Sequence, residues 1–392
     1  MALKNAVLKQ SQSNLARSLA LTRLNLTNFR NFSQLRVETD GRPLVFVGSN
    51  GAGKTNILEA ISCLAYNRGL RRARLIDMAK QRPTDRKWAV AANVDGLYGP
   101  VSLGVGWAEG SSLSEMREKR EFRVNGSPVN SQSFFAEHIS VVWMTPSQDR
   151  LFNESPSGRR RFIDHLVTAY DMTHTSRIQD FERGRRDRMR VLRSNIIDKN
   201  WLSAIELGMA ERAVAIAAGR LDLVSRLSEE VVSVGGEFPQ PGVSINGLIE
   251  DWLQVMPALS AEERYRDQLE ASRPYDKETG GSEGPHRSDF SATFNRGGMQ
   301  ASQASTGEQK AILIAILLAH SRLLTRLRGA PPIMLLDEVV AHLDPNRREA
   351  FFNSLLAMGT QAWMTGTDKA LFSGLSDSAR YLRIKNSNLM EA

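Results

Sequence analysis

The chain has 392 residues, too many for one small core and suited to two or three domains, and its 41% apolar content supplies a globular interior. Its single cysteine, Cys63, excludes a disulfide framework and fits a reducing compartment, and no apolar run approaches the ~20 residues of a membrane-spanning helix. A net charge of +8 and a pI of about 9.7 suggest a polyanionic partner without identifying it.

The N-terminal stretch carries Lys4, Lys9, Arg17, Arg23, Arg30 and Arg36 before its first acidic residue, Glu38. It has no continuous apolar signal core, so residues 1–20 read as a flexible basic extension rather than a transit peptide. Residues 21–29 alternate as a half-buried strand does, Arg30-Asn31-Phe32 turns, and 33–38 alternate again. Asp40-Gly41 predicts a hairpin turn into the apolar run Leu44-Val45-Phe46-Val47. Two or three antiparallel strands are therefore expected to lead into a glycine-rich segment.

That segment is Gly48-Ser49-Asn50-Gly51-Ala52-Gly53-Lys54-Thr55, and an apolar-periodic stretch over 56–65 comes after it. Strand, glycine-rich turn and helix is the context in which G-x-x-x-x-G-K-[ST] means a phosphate-binding loop. The glycines leave room for phosphate oxygens, and successive backbone N–H groups point inward at a helix N-terminus. Lys54 is then expected to reach the β- and γ-phosphates, and the Thr55 hydroxyl to ligate Mg²⁺. Cys63, on the apolar side of this helix, reads as a small core residue.

A basic cluster, 68–74, comes next. Strands are predicted at 88–94, 101–107, 120–124 and 138–143, with Asn125-Gly126 as a hairpin signal, giving a β-rich sub-region. From Arg159 a helical region runs to about Val234, studded with Arg183, Arg185, Arg186, Arg188, Arg190 and Arg193; its stretch 201–227 is rich in good helix formers. Gly235-Gly236 breaks it. A strand near Val243, a helix over 260–272 and a flexible joint over 279–285 come after the break. The remainder returns to α/β: a strand at 288–295, a strongly apolar helix at 307–327, a buried strand at 333–336, a helix at 346–358, a strand at 362–365 and a last one at 381–384.

Ile333-Met334-Leu335-Leu336-Asp337-Glu338 supplies the acids that a phosphate loop needs. Asp337 is placed to hold Mg²⁺, and Glu338 to orient and deprotonate the attacking water. Ser305-Thr306-Gly307 opens the apolar helix and offers a second anion-binding N-terminus.

This segment resembles the signature motif of ABC-type ATPases, in which Ser and Gly cap the γ-phosphate held by the opposite subunit. Ala341-His342-Leu343-Asp344 resembles the D-loop, and Gln148 matches the Q-loop glutamine. Thr306 stands where transporters usually have Gly. The switch histidine has no counterpart after Met364, where Thr365 and Thr367 stand instead.

The blocks 24–32, 155–164 and 284–290, followed by the Ser305 motif and the Asp337-Glu338 strand, resemble the RecF family, relatives of SMC proteins, in the same order. The resemblance implies an α/β ABC-type ATPase head: a phosphate loop, a mixed sheet with an antiparallel β subdomain, and an inserted helical lobe. The expected parts are 21–150 for the first portion of the ATPase lobe, 151–284 for the helical lobe and 285–392 for the second portion. ATP contacts fall on Arg30, Gly48, Ser49, Asn50, Gly51, Ala52, Gly53, Lys54, Thr55, Asn56, Gln148, Ser305, Gly307 and Asp344. Mg²⁺ falls on Thr55, Gln148 and Asp337. The family further implies a cytoplasmic, weak, DNA-stimulated ATPase that dimerises with ATP, clamps DNA at single-strand gaps and helps load RecA with RecO and RecR, with no membrane partner.

An inserted lobe of this size is too short for the long coiled coil of a chromosome-tethering SMC protein: two helices of about 40 residues would reach only ~60 Å. A transport ATPase subunit is disfavoured by the missing histidine, the Asn28–Asn31 opening and the basic charge, and a structural SMC-like bridge by the short insert. Arg71, Arg72, Arg74, Arg185, Arg186 and Arg188 are the candidates for sequence-independent DNA phosphate contacts, each weighed against a solvated helix face or an internal ion pair. Residues 159–164 read as structural, and so do His286 and Arg287.

Overall fold

The computed structural model describes residues 19–65, 69–80, 86–109, 120–194, 198–234, 236–385 and 387–392. The basic extension up to residue 18, Arg68 of the basic cluster and Gly235 lie outside the described residues. Contacts divide the chain into two compact units, Met1–Gln148 with Ser321–Ala392, and Asp149–His320.

In the first unit, β1 (Ala20–Phe29) and β2 (Phe32–Glu38) form a hairpin, β3 (Leu44–Val47) leads into α1 (Lys54–Ser62), and a short α2 (Leu75–Met78) comes after it. Then come β4 (Lys87–Gly96), β5 (Gly99–Ala108), β6 (Glu121–Val124), β7 (Ser127–Val129), α3 (Ser133–His138) and β8 (Val141–Met144). The second unit holds α4 (Pro156–Thr168), α5 (Thr173–Leu192), α6 (Lys199–Val234), β9 (Gly242–Asn246), α7 (Leu248–Leu253), α8 (Ala258–Ala271), α9 (Arg273–Thr279) and β10 (Asp289–Thr293). After α10 (Thr306–Arg328) the chain completes the first unit with β11 (Ile333–Leu336), α11 (Pro345–Met358), β12 (Ala362–Gly366), β13 (Arg380–Lys385) and β14 (Asn388–Glu391).

The first unit contains two six-stranded sheets. One is antiparallel, in the order β2-β1-β4-β5-β6-β7. Its strands alternate: Trp88, Val90, Ala92 and Val94 of β4 are buried, and Lys87, Ala89, Asn93 and Asp95 alternating with them are exposed. The other runs β14-β13-β3-β12-β11-β8, with β13, β3, β12, β11 and β8 parallel. Every residue of β3, β11 and β8 is buried. Strands covered on both faces need continuous apolar runs, and that is how these three read in sequence.

Two expectations are corrected here. Asp40-Gly41 does not turn β2 back against β3; β3 leaves the hairpin and lies between β13 and β12 of the parallel sheet. The run expected as one strand over 138–143 is split: His138 ends α3, and β8 joins the parallel sheet beside β11. In both cases the uniform burial of the strand draws it into the two-faced sheet. The final strand has a further partner, β14, paired antiparallel to β13.

The mixed sheet, the antiparallel sheet and the helical insert bear out the expected fold class. The grouping of 285–320 differs from the expected partition, since these residues belong to the second unit. The cause is pairing: β10 forms a two-stranded antiparallel sheet with β9, and Arg159 of α4 holds Asp289 at its head with two hydrogen bonds of 2.7 and 2.8 Å. Residues 279–285 are anchored as well, for the Tyr265 hydroxyl donates to the Glu283 carbonyl (2.6 Å) and Ser282 is buried. The second unit has its own core around Phe181, Met209, Ala213, Ile249, Tyr265 and Leu269.

Candidate nucleotide-binding site

Parallel sheets present their carboxyl ends as ligand crevices. Here the phosphate loop comes directly after β3, Asp337 directly after β11, Gln148 lies just past β8, and Thr365 is near the end of β12. The register pairs Leu336 with Met364 and Thr365 with Phe46. Asp337 and Thr365 are therefore neighbours, one residue on.

Lys54 is 5% exposed, and its Nζ donates to the carbonyls of Gly48 (2.7 Å) and Ser49 (3.1 Å). Burial lowers its pKa, and the charges of Glu338 and Asp337 act the other way. The Thr55 hydroxyl donates to Asp337 Oδ1 at 2.9 Å, joining two motifs 282 residues apart in the chain. These are hard oxygen donors beside a phosphate loop, and Mg²⁺ typically takes one or two such protein ligands and completes its shell with phosphate and water. The residues present fit Mg²⁺. Thr365, fully buried, donates to Asp337 Oδ1 (2.7 Å) and accepts from the Glu338 backbone N–H (2.9 Å).

Behind the loop, Gly53 adopts φ +107°, and a Cβ there would stand 2.5 Å from Asn31 Nδ2 and 2.9 Å from Phe32 Cζ. Asn31 Nδ2 donates to the Ala52 carbonyl (3.3 Å), and Asn56 Nδ2 donates to Asn31 Oδ1 (2.7 Å). Arg71 Nη1 reaches Asn56 Oδ1 (3.0 Å) and Glu59 Oε2 (3.3 Å). Glu59, with 0% exposure, also receives Arg30 through Nε (2.8 Å) and Nη2 (2.6 Å). Sequence reasoning does not single out Asn31 or Glu59. A signal for Glu59 exists: an acid inside Ile57-Leu58-Glu59-Ala60-Ile61, on a helix whose neighbouring residues are all buried.

Arg30, Gln148 and Asp344, also expected as ATP contacts, likewise make protein bonds in this structure. Arg30 is engaged by Glu59 and, through Nη1, by the Asp77 carbonyl (2.6 Å). Gln148 Oε1 accepts from the Thr145 N–H (2.9 Å). Asp344 caps α11, accepting from the Arg347 N–H at 2.9 Å. In the second unit Ser305 and Glu308 form a capping box: the Ser305 N–H and hydroxyl both donate to Glu308 Oε2 at 2.8 Å. Ser305 is exposed, and a Cβ on Gly307 would meet nothing within 4 Å.

The family described as RecF/RecN/SMC N terminal domain matches residues 20–387. The chain belongs to the RecF/RecN/SMC family. It is similar to the DNA replication and repair protein RecF of Mesorhizobium japonicum, 43% identical over 94% of this chain and 97% of the relative. The RecF of Rhizobium etli is 39% identical over 95% of this chain and 98% of the relative. Among solved structures, the recombination mediator protein RecF-ATPrS in the RecFOR pathway superposes with a TM-score of 0.81 at 20% identity, covering 95% of this chain and 98% of that one. An Smc head domain from Pyrococcus furiosus gives 0.52 at 14% identity, covering 95% and 96%.

For a RecF-type chain the basic residues matter next. Arg74 pairs with Asp77 (2.9 Å), Arg185 with Glu182 (2.9 Å), and Arg71 belongs to the Glu59 network. Arg72 and Arg186 are exposed. Arg188 is corrected: it is 1% exposed and donates to Glu206 (2.8 Å), Asp276 (2.7 Å) and the Leu269 carbonyl (2.6 Å), so no phosphate can reach it. A guanidinium is buried only with such partners, which lie far away in sequence. His286 packs against Phe181, and burial with nearby arginines pushes its pKa down to about 4. Among the described residues no helix is long and apolar enough to cross a membrane.

Proposed function

We propose that this chain is an ATP-driven DNA-binding protein of recombinational repair and replication-fork maintenance. The observation that carries the reading is the 2.9 Å bond between Thr55 and Asp337, which brings the phosphate loop and the acidic strand into one site. The RecF relatives supply the biological setting.

ATP enters over residues 48–55, where backbone N–H groups and Lys54 face its phosphates. Lys54 Nζ exchanges its two carbonyl partners for phosphate oxygens. Thr55 and Asp337 would hold Mg²⁺, which would supply neutralisation of the phosphate charge. Glu338 orients a water and takes its proton. Ser305 and Gly307 of a second copy complete the γ-phosphate site, so ATP closes a homodimer. An exposed Ser305 and a Gly307 at which a Cβ would meet nothing within 4 Å support that use, with Glu308 giving up its two bonds to Ser305 as the phosphate arrives. The closed dimer clamps duplex and gapped DNA without sequence preference and assists RecA loading with RecO and RecR. Slow, DNA-stimulated hydrolysis releases it. The setting is cytoplasmic.

The test is fluorescence anisotropy with gapped, single-stranded and double-stranded DNA, with and without ATP, across salt. The reading predicts ATP-dependent binding strongest at gaps, with log affinity falling by roughly 0.9 per log unit of salt for each phosphate neutralised. ATP-independent binding with a flat salt response contradicts it.

A further inference from the structure

ABC-type sites present a histidine after the strand next to the acidic pair, and this chain presents Thr365. It is 0% exposed, near the end of β12 between β3 and β11. A buried hydroxyl is costly unless its hydrogen-bonding capacity is used. Thr365 uses both halves: its proton goes to Asp337 Oδ1 at 2.7 Å, and its oxygen accepts the Glu338 N–H at 2.9 Å. Two further observations give this bridge a purpose. Asp337 Oδ1 is also held by Thr55 at 2.9 Å, so the carboxylate is gripped from the loop side and the strand side together. Glu338 stands at φ +51°, a left-handed conformation that residues with a long side chain rarely adopt. A strained backbone at a working residue persists only where its surroundings enforce it. The backbone N–H of that same residue is the one Thr365 ties down.

We propose that Thr365 is a positioning residue that sets the metal-holding acid and the water-activating acid relative to each other. One hydroxyl fixes the Asp337 carboxylate and the peptide that aims the Glu338 side chain. Thr365 touches neither nucleotide nor water in this role and acts wholly through its two neighbours. The inference rests on the ATPase reading above.

The comparison that tests it is Thr365→Val against Thr365→Ser in the full-length chain. Valine keeps shape and strand preference and removes the hydroxyl, whereas serine keeps the hydroxyl. Three quantities are read: steady-state ATPase with saturating DNA, the Mg²⁺ concentration for half-maximal tightening of MANT-ATP binding, and the melting temperature without nucleotide. Losing a hydrogen bond to a charged group is worth roughly a 10- to 100-fold change. Thr365→Val is expected to lose that much kcat with KM for ATP within about threefold, since residues 48–55 are untouched, and to shift the Mg²⁺ midpoint upward several-fold. Thr365→Ser is expected to stay within about threefold of wild type in both. Should valine prevent folding, Thr365→Ser against Thr365→Ala repeats the comparison of hydroxyl present and absent. A hydroxyl-free variant that melts as a folded protein yet keeps wild-type kcat and Mg²⁺ midpoint overturns the inference alone, and so does a serine variant as impaired as valine or alanine. A wild-type chain that neither binds MANT-ATP nor hydrolyses ATP overturns the ATPase reading and the inference with it.

Discussion

Gly53→Ala against Gly51→Ala separates a glycine demanded by its neighbours from one demanded only by its backbone. Both have positive φ, +107° and +80°, so an alanine at either place costs roughly 1–3 kcal/mol in backbone strain. At Gly51 a Cβ meets nothing within 4 Å, and strain is the whole cost. At Gly53 the Cβ would stand 2.5 Å from Asn31 Nδ2, 2.8 Å from its Oδ1 and 2.9 Å from Phe32 Cζ. Phe32 is fully buried and cannot retreat, and Asn31 can do so only by giving up its bonds to Ala52 and Asn56. Overpacking of this kind costs a further ~1–3 kcal/mol. The expected total is about 2–6 kcal/mol for Gly53→Ala. For a unit of this size that corresponds to a melting temperature lower by roughly 4–24 °C if the whole unit bears it. Should the loop deform locally instead, MANT-ATP affinity falls by the same free energy, at tenfold per ~1.4 kcal/mol. Differential scanning fluorimetry and MANT-ATP titration together capture both routes. A Gly53→Ala chain that melts and binds nucleotide like Gly51→Ala refutes the packing argument.

Arg188→Ala, measured by urea denaturation, is expected to destabilise by roughly 3–5 kcal/mol because it takes the guanidinium from buried Asp276 and leaves buried Glu206 with Arg273 alone. Arg186→Ala, at an exposed position, is expected to change stability by under about 0.5 kcal/mol. His320 is wholly buried, its Nε2–H donates to the Leu166 carbonyl (2.9 Å), and burial pushes its pKa down to about 4 while that carbonyl bond acts the other way. Its folded pKa lies below the unfolded value of ~6.5, so its contribution is fully present above pH ~6.5 and is lost as pH falls from there through about 4. Urea midpoints at pH 7.5 and 4.5 should show roughly 2–3 kcal/mol of this loss in wild type and none of it in His320→Gln.

Local pattern is enough where one short segment decides its own fate. Residues 44–55 read as strand and phosphate loop because an apolar run, spaced glycines and Lys54-Thr55 are contiguous, and 333–338 read as a buried strand ending in acids for the same reason. The strand alternation of 88–94 and 101–107 is likewise visible. Pattern does not show which sheet a strand joins. Asp40-Gly41 carries the chemistry of a hairpin turn, yet β3 is used between β13 and β12, strands more than 300 residues later. Charge partners are equally hidden. Six arginines along 183–193 look alike in sequence, and only the positions of Glu206 and Asp276 separate buried Arg188 from exposed Arg186. In sequence Thr365 is only the residue standing where a histidine is expected. Its two hydrogen bonds, one to Asp337 and one from Glu338, depend on a parallel register that no local pattern carries.

The central claim is that ATP completes a site shared by two copies. Sedimentation velocity of the Glu338→Gln chain with ATP, Mg²⁺ and gapped DNA, with and without Ser305→Arg, tests it most directly. Glu338→Gln is expected to bind ATP, stop hydrolysing and accumulate as a DNA-bound dimer, and adding Ser305→Arg is expected to return it to a monomer that still binds ATP. A dimer that persists undiminished with Ser305→Arg, or that forms equally without ATP, contradicts the account.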